Sequence, residues 1–199
     1  MTKDMVNIME QNNLNYIYMP YTIRKLPNKN LYRVYVRYGK PNMKIIAKAT
    51  TLNKAKAQVR MLEKKEIETA KKKINPKYIK GLKGKDVKKQ IKSILEGKNR
   101  PKTNAPKRKS KWTMMAKKYF KKSPTLKDIQ QALKLKSTKG LREIIKKGEG
   151  AYYSAGSRPN QSARSWGLAR LYAVIFGGKK VRKVDKDIIS KYGIGILKI

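Results

Sequence analysis

The chain contains no cysteine and no histidine, and it is poor in acidic residues, with 12 Asp and Glu against 52 Lys and Arg among 199 residues. Without thiols and imidazoles it cannot form disulfides, thiolate or imidazole metal sites, or Cys-His and Ser-His catalytic pairs. Long hydrophobic runs are lacking too, since the longest, residues 168–176, contains Arg170. We therefore expect no signal peptide and no transmembrane helix, and a protein that is soluble when it is synthesised.

The excess of positive charge is the strongest signal in the composition. The formal net charge is +40 at pH 7, about one uncompensated cation for every five residues. Such a chain repels itself and needs an anionic partner, whether nucleic acid, an acidic protein surface or an anionic membrane surface. Hydrophobic residues still make up 39% of the chain, which suffices for one ordinary domain or two small ones.

The first third of the sequence predicts an extended arm and then a small β-β-α module. Residues 1–22 have few charges and no clear period, so we interpret them as an N-terminal arm. Alternation in LYRVYVRY (31–38) and a following turn predict a hairpin with the MKIIAK segment. Apolar residues then recur at helical spacing after the cap candidates Thr50 and Thr51, so the module is expected to span 23–73. The arm offers three candidate docking aromatics: Tyr16, Tyr18 and Tyr21.

Residues 74–199 predict a helical domain that contains an extended basic linker at 98–111. The linker holds two prolines and no apolar residue larger than alanine. Amphipathic patterns and stop residues predict six helices: over 80–97 with Asp86 as cap, after Trp112, after Thr125, from about Leu141 to a stop at Gly148, from Ser162 to Phe176, and from Asp185 to Gly193. The predicted fold class is α+β, mainly α, with a small β-β-α module followed by a helical domain.

Residues 148–178 differ from the rest because lysine gives way there to glycine, serine, aromatics and arginine. The GEG sequence lacks the third glycine of a dinucleotide loop and the GK[ST] of a P-loop. The YSAGSRPNQS segment is similar to the nucleophile loop of serine recombinases, but the rest of such a domain is missing. We interpret the stretch as a hydrogen-bonded loop leading into a packed helix, with Arg158, Arg164 and Arg170 in need of carboxylate partners.

Enzyme chemistry is disfavoured, because metal-dependent cleavage needs several converging carboxylates and the chain has only 12 acidic residues. Pairing within a lysine-rich helix explains Glu63, Glu66 and Glu68, and a helix start explains Asp185 and Asp187. We expect no catalytic residue, no cofactor, no metal site and no small-molecule substrate. Basic segments instead supply candidate contacts to a polyanion or protein partner. These candidates are Arg33, Arg37, Lys71, Lys72, Lys73, Arg100, Lys107, Arg108, Lys109, Lys111, Arg158, Arg164, Lys179, Lys180 and Arg182.

A resemblance to a known family extends from residue 76 to about residue 193. It is carried by PKYIKGLKGKDVKKQIKSILEGKNRPK, by KSKWTMMAKKY and most specifically by AYYSAGSRPNQSARSWGLARL with the GG and VDKD that follow. This part resembles an uncharacterised basic domain family of large double-stranded DNA viruses of algae and amoebae, and the chain is similar to a chlorella-virus-like minor capsid protein. Residues 31–66 are similar to a second short module of those viruses. The resemblance implies a virion component and supplies no catalytic residues.

The expected function is therefore structural. We predict a minor capsid component that cements or links capsid subunits on the inner side of the shell through multivalent basic contacts. Its partners would be other capsid proteins, with viral DNA or an anionic inner membrane surface as further possibilities, and its location would be the virion. The alternative is a DNA-binding protein without sequence specificity that packages or condenses the genome. A nuclease or recombinase is the third hypothesis.

Overall fold

A computed structural model describes residues 21–37 and 39–198. Most of the predicted arm, including Tyr16 and Tyr18, lies outside these residues. The fold is α+β and mainly α, which confirms the predicted class. Its elements are β1 (Tyr21–Lys25), β2 (Tyr32–Val36), β3 (Lys44–Ile45), α1 (Leu52–Lys73), a 3₁₀ turn (Pro76–Tyr78), α2 (Gly84–Leu95), α3 (Lys111–Phe120), α4 (Leu126–Ala132), α5 (Lys139–Ala155), α6 (Ala163–Ile175), α7 (Lys179–Val184) and α8 (Lys186–Tyr192).

The sheet has three antiparallel strands in the order β1-β2-β3, one more than the predicted hairpin. Strand β1 pairs with β2, so that Ile23 faces Val34, and it begins at Tyr21 inside the predicted arm. Its sequence, YTIRK, is short and ends in two cations, which gives no clear alternation. Val34 and Val36 are buried in the central strand, as the alternation predicted. Helix α1 covers this face and buries Ala55.

Helix α1 connects the sheet to the rest of the chain. Thr51 caps its N-terminus by accepting from the backbone N–H of Lys54. Its C-terminal end and α2 share a small apolar cluster of Ala70, Ile74, Ile91, Ile94 and Leu95. Helix α2 begins at Gly84 after Lys83, so the prediction of Asp86 as its cap is wrong. Asp86 lies in the first turn, where its charge suits the helix dipole.

The main core is built from α3 to α8 around the antiparallel pair α5 and α6. It includes Leu141, Ile144, Leu171 and Ile175, all fully buried. The predicted stop of α5 at Gly148 is wrong, because the helix continues to Ala155. The basic KKVRK segment forms the unpredicted short helix α7. No helix in the described part of the chain is long and apolar enough to cross a membrane.

Gly148, in the GEG sequence of α5, contacts Gly167 of α6. A Cβ on Gly148 would lie 2.7 Å from the Cα of Gly167, and a Cβ on Gly167 would lie 2.6 Å from the carbonyl oxygen of Ile145. Both distances are shorter than real Cβ atoms allow, so the two helix backbones touch at this point. The glycines at 148 and 167 therefore act as a close-packing contact between α5 and α6 rather than as a helix stop.

Candidate polyanion-binding cleft

The connection between α5 and α6 is held by side chains that bond to backbone groups. Ser162 caps α6 through a capping box with Ser165, as the sequence predicted for the cap. Asn160 adopts a positive φ of 55° and turns its amide toward the linker. This amide accepts from the N–H of Thr103 at 2.9 Å and donates to the carbonyls of Thr103 and Ala105. The loop thus fixes the path of the linker across the helices.

The linker has no regular secondary structure before Lys111, as predicted, but it is packed against the protein through Arg100. Arg100 is only 8% exposed, and its guanidinium lies 4.5 Å from the ring centroid of Tyr152. It donates to Ser157 Oγ at 3.1 Å, to the Ser93 carbonyl at 2.8 Å, and to the carbonyls of Lys98 and Tyr152. Desolvation lowers the pKa of this guanidinium. Arg100 is therefore a buried structural residue, which corrects its placement among the surface contacts.

Gln90 and Tyr152 belong to the same network. Gln90 Nε2 donates to the carbonyls of Tyr78 at 3.2 Å and Ser157 at 3.0 Å. The Tyr152 hydroxyl accepts from the backbone N–H of Arg100 at 2.7 Å and donates to the Gln161 carbonyl at 3.0 Å. These bonds join α2, the linker and the α5–α6 connection in one hydrogen-bonded core.

Two of the three arginines at 148–178 pair with carboxylates, as the interpretation of this stretch as a loop and a packed helix requires. Arg170 forms a bidentate pair with the fully buried Asp185, at 2.8 Å from Nε and 2.7 Å from Nη2. Lys147 approaches the same carboxylate at 3.0 Å. Arg164 lies 3.5 Å from Glu149 on the surface. Arg158 has no described carboxylate within salt-bridge distance, so no acidic side chain of the described residues neutralises its charge.

A cleft of about 710 Å³ opens between the end of the linker, the start of α3 and one face of α6. Its apolar floor consists of Trp112, Trp166, Ala169, Ala173 and Val181. Neutral polar side chains at its edge are Ser110, Thr113, Gln161 and Ser165. Gln161 helps to form the wall, because its amide donates to the Arg108 carbonyl at 2.9 Å.

The charge in the cleft is of one sign. Its lining contains seven cations and no carboxylate: Lys107, Arg108, Lys109, Lys111, Lys117, Arg158 and Arg170. The guanidinium of Arg170 is taken by Asp185, so this residue shapes the wall more than it adds charge. The ammonium of Lys111 lies 4.6 Å from the ring centroid of Trp112. An anionic group is favoured here, because the six lining cations other than Arg170 have no carboxylate in the lining to neutralise them and lie beside apolar side chains of low dielectric.

A second hollow of about 180 Å³ continues the basic surface beyond the cleft. It is lined by Lys77, Lys80, Gly81, Pro106, Arg108, Arg158 and Pro159. Arg108 and Arg158 belong to both hollows and stand between them. The proximity of Arg100 and Arg158 to the half-buried Tyr78 opposes the rise in its pKa that burial causes. The two hollows thus form one cationic surface around the arginines at 108 and 158.

The structure brings together five of the residues predicted from the sequence as partner contacts. Lys107, Arg108, Lys109, Lys111 and Arg158 line the cleft. The others lie on β2 or directly after it (Arg33, Arg37), at the end of α1 (Lys71, Lys72, Lys73), near the start of α6 (Arg164) and on α7 (Lys179, Lys180, Arg182).

Arg182 and Tyr21 contact their own chain, as Arg100 and Arg164 do. Arg182 Nη1 donates to the Val174 carbonyl at 2.9 Å, and both of its terminal nitrogens bond to the C-terminal segment. Tyr21 donates to Glu66 Oε1 at 2.7 Å, and burial, together with this bond, raises the pKa of its hydroxyl.

Sequence reasoning missed Lys77, Lys80, Lys117 and both tryptophans as parts of the surface. Trp112 packs against the main core, and both tryptophans are partly exposed. The available signal was their position, since each follows a segment rich in candidate contacts, 106–111 and 158–164. Within the described residues, no three acidic side chains are grouped as a metal site would require. The arrangement can bind an anion and stack a flat group against an indole ring.

In a comparison with known protein families, a family described as a family of unknown function (DUF5824) matches residues 75–189. This span contains every residue that lines the two hollows. No curated protein and no solved structure matches the chain.

Proposed function

The chain belongs to the family of unknown function DUF5824, and on that premise we propose that it is a non-enzymatic assembly protein that holds acidic partners together through multivalent basic contacts. Its setting would be the one that the sequence resemblance implies, a minor capsid component that cements capsid subunits on the inner side of the shell of a large double-stranded DNA virus. Its partners would be acidic faces of other capsid proteins. Its work would be attachment rather than turnover.

One observation carries this proposal: the exposed cations form separate clusters on different elements. Lys71 to Lys73 end α1, Lys107 to Lys109 border the cleft, and Lys179 and Lys180 begin α7, and all of these residues are exposed. A single exposed ion pair is worth only about 0–1 kcal/mol, so no one cluster gives strong binding. Several clusters that engage at once raise the overall affinity without any strong single contact. Such a surface suits a protein that joins several neighbours.

Neutralising one cluster at a time tests the multivalent contact. We would compare the variants Lys71–Lys73→Gln, Lys107–Lys109→Gln and Lys179–Lys180→Gln for binding to purified capsid shells from which DNA has been removed. Each variant should bind shells more weakly, and the losses in binding free energy should add when clusters are combined. Loss of all binding in one variant, with none in the others, would indicate a single site and contradict the proposal.

The location of the protein tests the capsid setting. In fractionated virions the chain should remain with the shell after nuclease treatment and should be absent from the DNA core. Recovery with the core alone would refute the capsid proposal.

A second function, nucleic-acid binding without sequence specificity, is favoured by the carboxylate-free cleft and its tryptophans. Lysines and arginines that neutralise phosphates release counterions, so affinity should fall steeply with salt. Binding to duplex DNA should give a linear plot of log K against log salt with a slope of about −0.9 for each phosphate contact. An affinity that does not change with salt would exclude this function.

A further inference from the structure

We propose that the cleft binds a single-stranded nucleic acid, with a base stacked on Trp112 or Trp166 and the neighbouring phosphates held by the cations of the rim. This inference deepens the second candidate function and rests on it. It differs in naming the strand state, the site and the aromatic contact.

The apolar floor indicates that the ligand is more than an anion. Trp112, Trp166, Ala169 and Ala173 would gain nothing from a phosphate or a carboxylate, which prefer water or polar donors. An unpaired base has a flat face that can leave water and stack on an indole, which is worth about 1–3 kcal/mol per base. The bases of a duplex are already stacked on one another and cannot stack on an indole of the cleft without being extruded. The floor therefore favours a strand whose bases are free.

The cations favour a polymer with a charge on every unit. Lys107, Lys109 and Lys117 line the cleft, while Arg108 and Arg158 stand between it and the smaller hollow. Charge continues from these arginines into the smaller hollow, whereas its lining has no aromatic side chain. A planar guanidinium binds phosphate in a bidentate manner, which suits the two arginines at the junction. A single strand can place one base on the apolar floor while its phosphates continue past Arg158. This matches the distribution of charge over the two hollows better than an acidic peptide that is held by one side chain in the cleft.

The tryptophan fluorescence of the protein, excited selectively over that of its 12 tyrosines, reports on this site, because the chain has two tryptophans and both line the cleft. We would titrate the full chain at low salt with oligodeoxythymidylate of about 20 nucleotides, longer than the ~4–16 nucleotides that one single-strand-binding fold occupies. Inorganic polyphosphate and a duplex of the same length serve as probes of charge without free bases. The single strand should quench the fluorescence in a saturable manner, and the other two should bind with much less quenching.

A variant that fills the floor separates stacking from charge. Ala169→Leu places a larger side chain in the cleft and leaves every cation in place, and Ala57→Leu makes the same change at an exposed position of α1 as the control. Ala169→Leu should abolish the quenching and weaken single-strand binding by about 5–150-fold, the loss of one stacked base. Its affinity for duplex and polyphosphate should stay within about twofold of wild type, as should all affinities of Ala57→Leu. Arg158→Gln should weaken binding of all three probes and reduce the salt slope by about 1.

The outcomes distinguish this inference from the function on which it rests. Salt-dependent binding of the single strand without quenching, unchanged in Ala169→Leu, would overturn the cleft assignment and leave general nucleic-acid binding intact. Failure of single strand, duplex and polyphosphate alike would overturn both. Quenching or a blue shift with polyglutamate, but not with the single strand, would identify the cleft as a groove for an acidic protein segment and also overturn the inference.

Discussion

The contact between Gly148 and Gly167 yields a prediction in which the same substitution has opposite signs at two positions of one helix. Gly148 and Gly150 both lie inside α5, and alanine favours a helix over glycine by about 1 kcal/mol. A Cβ at Gly150 meets nothing within 4 Å, so Gly150→Ala should gain this amount in full. For a chain of this size that raises the melting temperature by about 2–4 °C.

The same methyl group at Gly148 would lie 2.7 Å from the Cα of Gly167, a backbone atom that moves only if α6 moves. Overpacking of this kind costs about 1–3 kcal/mol. The free energy of unfolding of Gly148→Ala should therefore be lower than that of Gly150→Ala by about 1–3 kcal/mol. Gly167→Ala should behave in the same way, because its methyl group would lie 2.6 Å from the Ile145 carbonyl oxygen.

Thermal and urea unfolding, each followed by circular dichroism, measure these differences on matched proteins. Both methods are needed, because the urea slope reveals whether a variant changes the compactness of the folded or unfolded state. The reasoning is refuted if Gly148→Ala and Gly167→Ala raise the melting temperature as much as Gly150→Ala does. Such a result would mean that α5 and α6 separate at little cost.

Three further predictions concern polar side chains. Asp185→Asn should lower the free energy of unfolding by about 3 kcal/mol, measured in urea, because it removes a fully buried carboxylate and leaves the partly buried guanidinium of Arg170 unpaired. A loss under about 1 kcal/mol would contradict this. Arg100→Lys should lower the free energy of unfolding by about 1–3 kcal/mol in the same assay, because an ammonium group cannot donate to all of the carbonyls that the guanidinium binds. Wild-type stability of this variant would refute the structural role of Arg100. Hydrogen bonds from Lys122 and Thr125 hold the pKa of the Asp128 carboxyl at about 2, below its ordinary value of 3.8. The stabilisation of α4 by this carboxylate should therefore be complete above about pH 4 and should fade as the pH falls through 2. NMR titration of Asp128 should show this midpoint, and the midpoint should rise in Thr125→Ala.

Local signals in the sequence predicted much of the helical architecture. Thr125 and Ser162 were identifiable as caps, since a hydroxyl before an apolar run satisfies the free N–H groups of a helix start. Gly193 was identifiable as a stop, and it adopts the left-handed conformation that glycine favours, with φ at 62°. These features depend on neighbours within one turn of chain, which is why pattern reasoning reached them.

Features that depend on distant contacts were not predictable in the same way. Gly148 has the sequence of a helix stop, and only the packed structure shows that it is a close contact with Gly167 of α6 inside a continuous helix. Arg100 has the neighbours of a surface cation, and its burial depends on carbonyls and a ring that other segments supply. The cleft likewise arises where the linker crosses α6. The basic residues of the linker were identifiable from the sequence, whereas Lys117, Trp112 and Trp166 reach the same surface only through the packing of α3 against α6.

The network around Arg100 also sets an order for folding during synthesis. Four hydrogen bonds of Gln90, Arg100 and Asn160 join residues that are between 52 and 67 positions apart in the chain. Helix α2 can therefore complete its burial only after Ser157 has left the ribosome. Until then the linker and α2 emerge as an open, strongly basic nascent chain, and binding of an anionic partner at that stage would compete with folding.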